Sequence, residues 1–339
     1  MIFQVTASHI TLLIEDLGNM VRAVPGDDRF ASLERIFARG RACRLDSATP
    51  DHLRFALFGI EPGGFVPVAA LTHVCDRKKE PQDEYFWLRA DPVTMWADMA
   101  QVFMTSHGFA DLDPFERNEI ENTIRAVLLE EGIDLHSEHP ERWCIALGEP
   151  LDFEFTPLDE ALGMDVADAL PDHPEARFWR RILNEIQVAL HQCPVNVRRR
   201  QRGKQEINSV WFWGGGFIPD AAPHDLIDTV YSSHPVTRGL AIINDCRLKN
   251  SGEAREPDFR QDGRTVLVDW NPLTEDPVEE LNQLESLASQ LLMKVHQENL
   301  VLSVFDGSGD GRNYDRSAGR KFWKRASPLF FGPASPVRT

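Results

Sequence analysis

The sequence predicts an α/β protein whose central sheet is mixed or mostly parallel and is flanked by helices. Short apolar runs typical of buried strands alternate with longer segments whose apolar residues recur at helical spacing. Strands separated by helices favour parallel pairing. The chain has 339 residues, of which 42% are hydrophobic and 26% are charged, and this supports one large core or two smaller ones.

The apolar runs predict strands in chain order at residues 10–17, 85–89, 142–147, 207–213, 237–243, 264–270 and 299–305. Helical spacing predicts helices at residues 30–41, 92–104, 114–131, 176–191 and 277–297. The Asp-Pro pairs at Asp91 and Asp113 mark the starts of the helices predicted at 92–104 and 114–131. Proline suits the first helical position because its missing N–H would have no partner there.

The predicted domain boundary lies in residues 149–174, which are rich in acidic residues and proline. It separates an N-terminal α/β region, 1–150, from a C-terminal α/β region, 151–319, that contains the Trp-Gly block. A basic, aromatic tail follows at 320–339 and is a candidate protein-interaction segment. A single domain is the alternative.

The net charge of -17 argues against nucleic acid or an anionic membrane as a partner, because both favour a basic face. The five cysteines are scattered and form no C-x-x-C pair, which is typical of reduced thiols. The N-terminus does not resemble a signal peptide, and no apolar run approaches a membrane span. These features predict a cytoplasmic protein.

The most informative stretch is the block 184–216. Asn184, Gln187 and His191 share one face of the predicted helix 176–191 and form a polar stripe. Trp211 and Trp213 share one face of a buried strand that runs into three glycines. The glycines allow either a tight core turn or a loop whose N–H groups face an anion. The basic run 198–204 is likewise either a solvated connection or an anion-binding edge.

Standard catalytic motifs are absent from the sequence. It contains no P-loop and no G-x-S-x-G elbow. Residues 306–311 match the opening of a calcium loop, but Ser317 stands where the template has Glu. A surface turn is therefore the prediction there. The carboxylates at predicted strand ends are Glu15, Asp16, Asp269 and Asp306.

The block 184–216 resembles the RpfE-type regulatory protein family. The matching residues are Asn184-Glu185, His191, Pro194-Val195-Asn196, Arg199, Gly203, Asn208 and the run Trp211-Phe212-Trp213-Gly214-Gly215-Gly216; the segments 67–71 and 87–93 also match. That family in turn resembles archaeal-type cofactor-independent phosphoglycerate mutases of the alkaline-phosphatase-like superfamily. The shared pattern is Pro-x-Asn-x-x-Arg-x-x-x-Gly, then Asn, then an aromatic strand ending in Trp-Gly-x-Gly.

The resemblance to the mutases implies a pocket for a small phosphorylated or carboxylate ligand. Together with the polar stripe, it gives ten candidate ligand-binding residues: Asn184, Gln187, His191, Asn196, Arg199, Trp213, Gly214, Gly215, Gly216 and Arg238. An arginine beside glycine N–H groups suits such a ligand, because both donate hydrogen bonds to oxygens.

The sequence departs from the mutases at their metal ligands and nucleophile. Residues 14–18 stand where the mutases have an Asp-Gly metal site, and Asp269-Trp270-Asn271-Pro272 follows the strand that precedes their late metal ligands. Their Thr-Pro-Asn nucleophile segment has no counterpart. We therefore predict a non-catalytic regulatory or scaffold protein, a pseudoenzyme with no catalytic residues, metal or cofactor. The alternative is a metal-dependent phosphomonoester hydrolase or phosphomutase that uses the four strand-end carboxylates.

Overall fold

The computed structural model describes residues 8–24, 30–47, 49–61, 65–77, 84–98, 101–109, 111–222, 226–255, 259, 264–298, 300–321, 323–324 and 329. The predicted α/β class is confirmed. The chain divides into two compact units, the first from Met1–Glu61 with Asp220–Thr339 and the second from Pro62–Pro219. Residue 150 lies inside the second unit. The division into 1–150, 151–319 and 320–339 stays a prediction about parts that fold independently.

The first unit contains a seven-stranded, mostly parallel sheet. Its strands are β1 (His9–Ile14), β2 (Arg41–Arg44), β8 (Thr229–Tyr231), β9 (Arg247–Lys249), β10 (Thr265–Asp269), β11 (Val301–Asp306) and β12 (Asp310–Tyr314), in the spatial order β2-β12-β11-β1-β10-β8-β9. Parallel pairing joins β11, β1, β10, β8 and β9 in that order. The carboxyl ends of these five strands therefore meet at one edge of the sheet, here called the carboxyl edge.

Helices cover the sheet of the first unit. They are α1 (Leu17–Ala23), α2 (Ala31–Arg39), α3 (Pro50–Leu57), α10 (Pro235–Ile243), α11 (Pro277–Glu298) and α12 (Arg316–Gly319), with a 3-10 turn at Ser251–Arg255. The predicted helix 277–297 is confirmed as α11, whose apolar stripe includes the fully buried Leu284 and Leu291. The predicted surface turn at 306–311 joins β11 to the antiparallel β12.

One predicted strand of the first unit is wrong, because residues 237–243 belong to α10. The β-branched residues of this segment suggested a strand. Pro235 starts the helix, and buried side chains recur at Val236, Leu240 and Ile243 with helical spacing. The helical spacing of the apolar residues across the whole segment therefore outweighs the preference of its β-branched residues for strands.

The second unit is organised on an antiparallel five-stranded sheet. Its strands are β3 (Phe86–Asp98), β4 (Gln101–His107), β5 (Asp134–His136), β6 (Cys144–Leu147) and β7 (Ser209–Gly216), in the order β4-β3-β6-β5 with β7 also paired to β3. Its helices are α4 (Val68–Arg77), α5 (Pro114–Glu130), α6 (Leu158–Ala161), α7 (Val166–Ala169), α8 (Ala176–Gln192) and α9 (Pro194–Gln201). The helices predicted at 114–131 and 176–191 are confirmed as α5 and α8.

The helix predicted at 92–104 is wrong, since residues 92–98 continue β3 and residues 101–104 belong to β4. The Asp91 carboxylate does not cap a helix. It accepts hydrogen bonds from the Trp213 indole at 2.7 Å and from the Trp143 backbone N–H at 3.1 Å. Pro194 opens α9, which contains the first part of the basic run 198–204, and the exposed residues 202–205 connect this helix towards β7.

Among the residues that the structure describes, no helix combines the length and apolarity needed to cross a bilayer. Most of the basic, aromatic tail falls outside the described residues. Its role as an interaction segment stays a prediction.

Candidate functional site

Several polar side chains lie at the carboxyl edge of the first unit, where the parallel strands end. Glu15 follows β1, Ser232 follows β8, and Asp269 is the last residue of β10. Open parallel sheets bind ligands outside the carboxyl ends of their strands. This edge is therefore the candidate functional site.

Arg54 of α3 is the centre of the site, and its side chain is 1% exposed. Its Nη2 donates to Glu15 Oε2 at 2.5 Å, and its Nη1 donates to Asp51 Oδ1 at 3.1 Å. Its Nε donates to Thr237 Oγ1 at 3.1 Å and lies 3.4 Å from Asp269 Oδ2. We call Glu15, Asp51, Arg54, Thr237 and Asp269 the carboxyl-edge cluster.

Local sequence explains how Arg54 reaches the edge. Thr49 caps α3 by accepting a hydrogen bond from the His52 N–H, and Pro50 opens the helix. Asp51 lies one turn before Arg54, on the same helix face. Burial alone would lower the pKa of Arg54, but the carboxylates of Asp269, Glu15 and Asp51 raise it above the ordinary value, so the guanidinium stays charged.

Asp269 is fully buried, and its two carboxylate oxygens differ. Oδ2 accepts from Thr237 Oγ1 at 2.5 Å and from Ser232 Oγ at 3.1 Å. Oδ1 is buried and has no hydrogen-bond partner among the described residues. Three carboxylates face one guanidinium, so two formal negative charges of the cluster are unbalanced. Burial raises the pKa of Asp51, and the Asp269 charge adds to this shift, although Arg54 opposes it.

Asn271 and Arg238 hold the neighbouring loop in place. Asn271 Oδ1 accepts from the Ser233 N–H at 2.7 Å and from the His234 N–H at 3.1 Å. Arg238, predicted as a ligand-binding residue, is half-buried and donates from Nη1 to the Ser232 carbonyl at 3.0 Å. Arg238 is therefore at the carboxyl edge.

The structure does not assemble the metal site of the alternative hypothesis. Glu15 and Asp269 contact Arg54, whereas Asp306 Oδ1 accepts from the Ser308 and Asp310 N–H groups of its own turn. Asp16 pairs with Asn19 at 3.2 Å. Among the described residues, the groups of three potential metal ligands include none of these four carboxylates.

Nine of the ten candidate ligand-binding residues lie in the second unit. Two of them are fully buried and bond inside the protein. Asn196 Nδ2 donates to the Leu190 and Ile207 carbonyls, and its Oδ1 accepts from the Ile207 N–H at 3.1 Å. Arg199 donates to Glu116 at 2.8 Å, to Asp111 at 2.9 Å and to the Gln205 carbonyl at 2.7 Å. A ligand would have to displace these partners.

The polar stripe of α8 is divided between surface and interior. Asn184 and His191 are exposed, and Asn184 lines a surface groove of about 690 Å³ with neighbours on the same helix. Gln187 is half-buried and donates to Ser209 Oγ at 3.3 Å. His191 is not among the residues that line this groove.

The predicted glycine loop is part of strand β7. A Cβ on Gly216 would lie 2.5 Å from Pro67 Cβ, and one on Gly215 would lie 2.8 Å from the Phe86 ring. The positive φ of Gly214, 63°, also favours glycine. These glycines allow close packing, while the Trp213 indole is bonded to Asp91. Tight packing in the core, rather than a loop that faces an anion, therefore accounts for all of these contacts of the Trp-Gly block.

Arg54, Asp51 and Thr237 are site residues that the sequence did not predict. Their signal was weak, namely an arginine between the apolar residues Leu53 and Phe55, with an aspartate one turn earlier. A single helical arginine is usually solvated, so nothing local separated Arg54 from the other arginines of the chain.

The fold places the protein in the class of α/β proteins with the architecture of cofactor-independent phosphoglycerate mutases. The structure of the cofactor-independent phosphoglycerate mutase from Thermoplasma acidophilum has a TM-score of 0.50 at 15% identity and covers 91% of this chain and 90% of that one. The PH0037 protein from Pyrococcus horikoshii has a TM-score of 0.55 at 12% identity and covers 93% of this chain and 92% of that one.

Sequence comparison shows distant similarity to archaeal phosphoglycerate mutases. A 2,3-bisphosphoglycerate-independent phosphoglycerate mutase of Methanosarcina mazei is 26% identical over 215 residues, which are 61% of this chain and 52% of the mutase. The corresponding Methanosarcina acetivorans mutase is 25% identical over 214 residues. The chain thus spans about half the length of the curated relatives it matches. No protein-family model matches the chain.

Proposed function

We propose that this chain is a non-catalytic regulatory or scaffold protein built on a phosphoglycerate-mutase-like fold. The observation that carries the proposal is the position of Arg54. Glu15 follows β1 and Asp269 ends β10, and these are the two strands that the resemblance matches to the metal-binding segments of the mutases. Both carboxylates contact the guanidinium of Arg54.

A guanidinium supplies charge but not the chemistry of a metal. Metal-dependent phosphoryl transfer uses cations that polarise phosphoryl oxygens and lower the pKa of a bound nucleophile. Arginine has no open coordination position, and the raised pKa of Arg54 keeps it from acting as a base. Arg54 therefore compensates part of the carboxylate charge without restoring the reaction.

The regulatory part of the proposal draws on the resemblance of residues 184–216 to the RpfE-type family. A small phosphorylated or carboxylate ligand, or a protein partner, would connect such a protein to its pathway. Arg238 is the predicted ligand residue that lies at the carboxyl edge, and it is half-buried. Asn196 and Arg199 already have partners inside the second unit, so the proposed ligand contact rests on Arg238.

The test combines metal content with turnover. The full chain is incubated with Mn²⁺ or Zn²⁺, dialysed exhaustively, and assayed for interconversion of 2- and 3-phosphoglycerate beside the Methanosarcina mazei mutase. We expect turnover by the mutase and none by this chain. Turnover by this chain that disappears in Asp269→Asn would refute the proposal.

The phosphomutase or phosphomonoester hydrolase remains the second candidate because of two features of the carboxyl-edge cluster. Asp269 Oδ1 is buried without a hydrogen-bond partner, and the cluster has an excess of negative charge. Both features favour a cation. Metal that wild-type protein retains and Asp269→Asn loses, together with phosphoester turnover, would support this candidate.

A further inference from the structure

A second group of polar side chains lies in the second unit, where two imidazoles face one carboxylate. His73 belongs to α4, His136 ends β5, and Glu138 follows two residues later. His73 Nδ1 is 3.9 Å from Glu138 Oε2, and His136 Nδ1 is 3.8 Å from Glu138 Oε1. One ligand atom from each of the three lies within 4.8 Å of the others. We call these residues the histidine cluster.

His73 lacks the hydrogen bonds that a buried imidazole normally has. It is 1% exposed and stacks on Trp87 with ring centroids 3.7 Å apart. Its Nε2 is buried and has no partner among the described residues, while 3.9 Å from Nδ1 to Glu138 exceeds a hydrogen bond. The Nδ1 atom that faces Glu138 is therefore not hydrogen-bonded to that carboxylate, so its lone pair can be directed at a cation held between the two groups.

His136 has a carboxylate near each ring nitrogen. Its Nε2 is 3.7 Å from Asp134 Oδ2, while its Nδ1 faces Glu138. A carboxylate hydrogen-bonded to the second nitrogen is the usual support of a metal-binding histidine, and Asp134 lies near that position but beyond hydrogen-bond distance. The His73 and His136 rings meet edge to face, with centroids 5.2 Å apart.

We propose that His73, His136 and Glu138 bind one divalent transition-metal cation, with Zn²⁺ the best match. Two imidazole nitrogens and one carboxylate form a zinc ligand set that leaves a fourth position open. Mg²⁺ and Ca²⁺ prefer oxygen ligands alone. This site is separate from the carboxyl-edge cluster and does not depend on the proposed function.

The ligand atoms must move closer together to hold the ion. Ligand atoms about 2.0–2.1 Å from a tetrahedral Zn²⁺ are about 3.3 Å from one another. The separations of 3.9 and 3.8 Å, which run to different oxygens of Glu138, must therefore shrink by roughly half an ångström. All three ligand atoms start within 4.8 Å of one another. Glu138 is 36% exposed and is the ligand best able to move.

The Arg77 side chain opposes metal binding at the histidine cluster. Its Nε is 3.9 Å from Glu138 Oε1, and its side chain is 42% exposed. It competes for the same carboxylate and repels a cation. Arg77→Gln is therefore expected to tighten Zn²⁺ binding, an effect that a merely structural role for Glu138 would not produce.

The experiment is a calorimetric titration of the dialysed full chain with Zn²⁺ alone. We expect one Zn²⁺ per chain and an affinity at least about 10-fold weaker in both His136→Gln and Glu138→Gln. The matched control is His173→Gln, because His173 belongs to the other described three-ligand group, with Asp152 and Glu175. That variant should bind like wild type.

Three results would overturn the proposal. They are no Zn²⁺ binding by wild type, undiminished binding in both His136→Gln and Glu138→Gln, and loss of binding in His173→Gln. Circular dichroism verifies the fold of each variant. The buried, stacked His73 is left intact, so an unfolded variant does not obscure the outcome. Asp269→Asn should keep this zinc, which distinguishes the result from that of the proposed function.

Discussion

Arg54 and Arg199 are both buried arginines bonded to carboxylates, yet they lie in different settings. Arg54 ends at the carboxyl edge of a parallel sheet, whereas Arg199 is enclosed between α5 and the segment that precedes β7. Arg199, Arg202 and Lys204 face Asp111 and Glu116, so the carboxylate charge there is fully compensated. Around Arg54 two negative charges remain unbalanced. Each cluster contains one buried carboxylate oxygen without a hydrogen-bond partner among the described residues, Glu116 Oε1 and Asp269 Oδ1.

The difference shows how to distinguish a structural arginine from one at a functional site. Arg199 matched the motif of a known family and was predicted to bind a ligand. Arg54 matched no motif. What distinguishes them is the balance of charge, because carboxylates that are matched by cations stabilise the fold, whereas an excess of carboxylates at a strand edge can accept a further cation.

The largest effect is expected for Arg199→Ala. This change leaves the buried Glu116 carboxylate and the Gln205 carbonyl without their main partner, which should lower the free energy of unfolding by about 3–5 kcal/mol. Urea denaturation measures the loss. The adjacent Arg200→Ala is the control, since Arg200 is 48% exposed and pairs with Glu206 on the surface. Its loss should stay below about 1 kcal/mol. Equal losses in the two variants would contradict the comparison.

Arg54→Ala should lower the free energy of unfolding by about 3 kcal/mol in EDTA. Unlike the loss at Arg199, this one should be partly recovered on adding Mg²⁺, because three carboxylates then face a space that a hard cation can enter. Urea denaturation with and without Mg²⁺ measures both quantities. If Mg²⁺ stabilised Arg199→Ala as much as Arg54→Ala, the two clusters would not differ as described.

Gly216→Ala tests whether the Trp-Gly block is core. A Cβ 2.5 Å from Pro67 Cβ forces α4 away from β7, which should lower the free energy of unfolding by about 1–3 kcal/mol. Gly148→Ala is the matched control, because nothing lies within 4 Å of its Cβ and its φ is not positive. Its expected change is within about 0.5 kcal/mol. A neutral Gly216→Ala would revive the loop interpretation.

Arg238→Ala should have the smallest effect on stability, about 1 kcal/mol, since mainly its hydrogen bond to the Ser232 carbonyl is lost. Its effect on ligand binding should be larger. Calorimetry with inorganic phosphate and 3-phosphoglycerate is expected to give weaker binding than in wild type. Equal binding by both proteins would remove Arg238 from the proposed ligand site.

Asp113 and Asp91, each of which precedes a proline, show how far local sequence predicts structure. Asp113 caps α5 by accepting from the Phe115 and Glu116 N–H groups, as its sequence predicts. Asp91 precedes the same residue type but lies within β3, where its carboxylate is bonded to Trp213, Trp143 and Arg89. An aspartate before a proline therefore caps a helix only where no residue distant in sequence forms hydrogen bonds with its carboxylate.

The sequence by itself determined the α/β class, the long amphipathic helix α11, and the central strands β1, β10 and β11. These elements depend on the spacing of apolar residues within one segment, which can be read locally. Only the tertiary structure decided that Arg54 meets Glu15, 39 positions away, and Asp269, 215 positions away. It likewise brought His73 to His136 and Glu138. Such contacts form when strands distant in sequence pair in a sheet. The spacing of apolar residues within one segment does not specify that pairing.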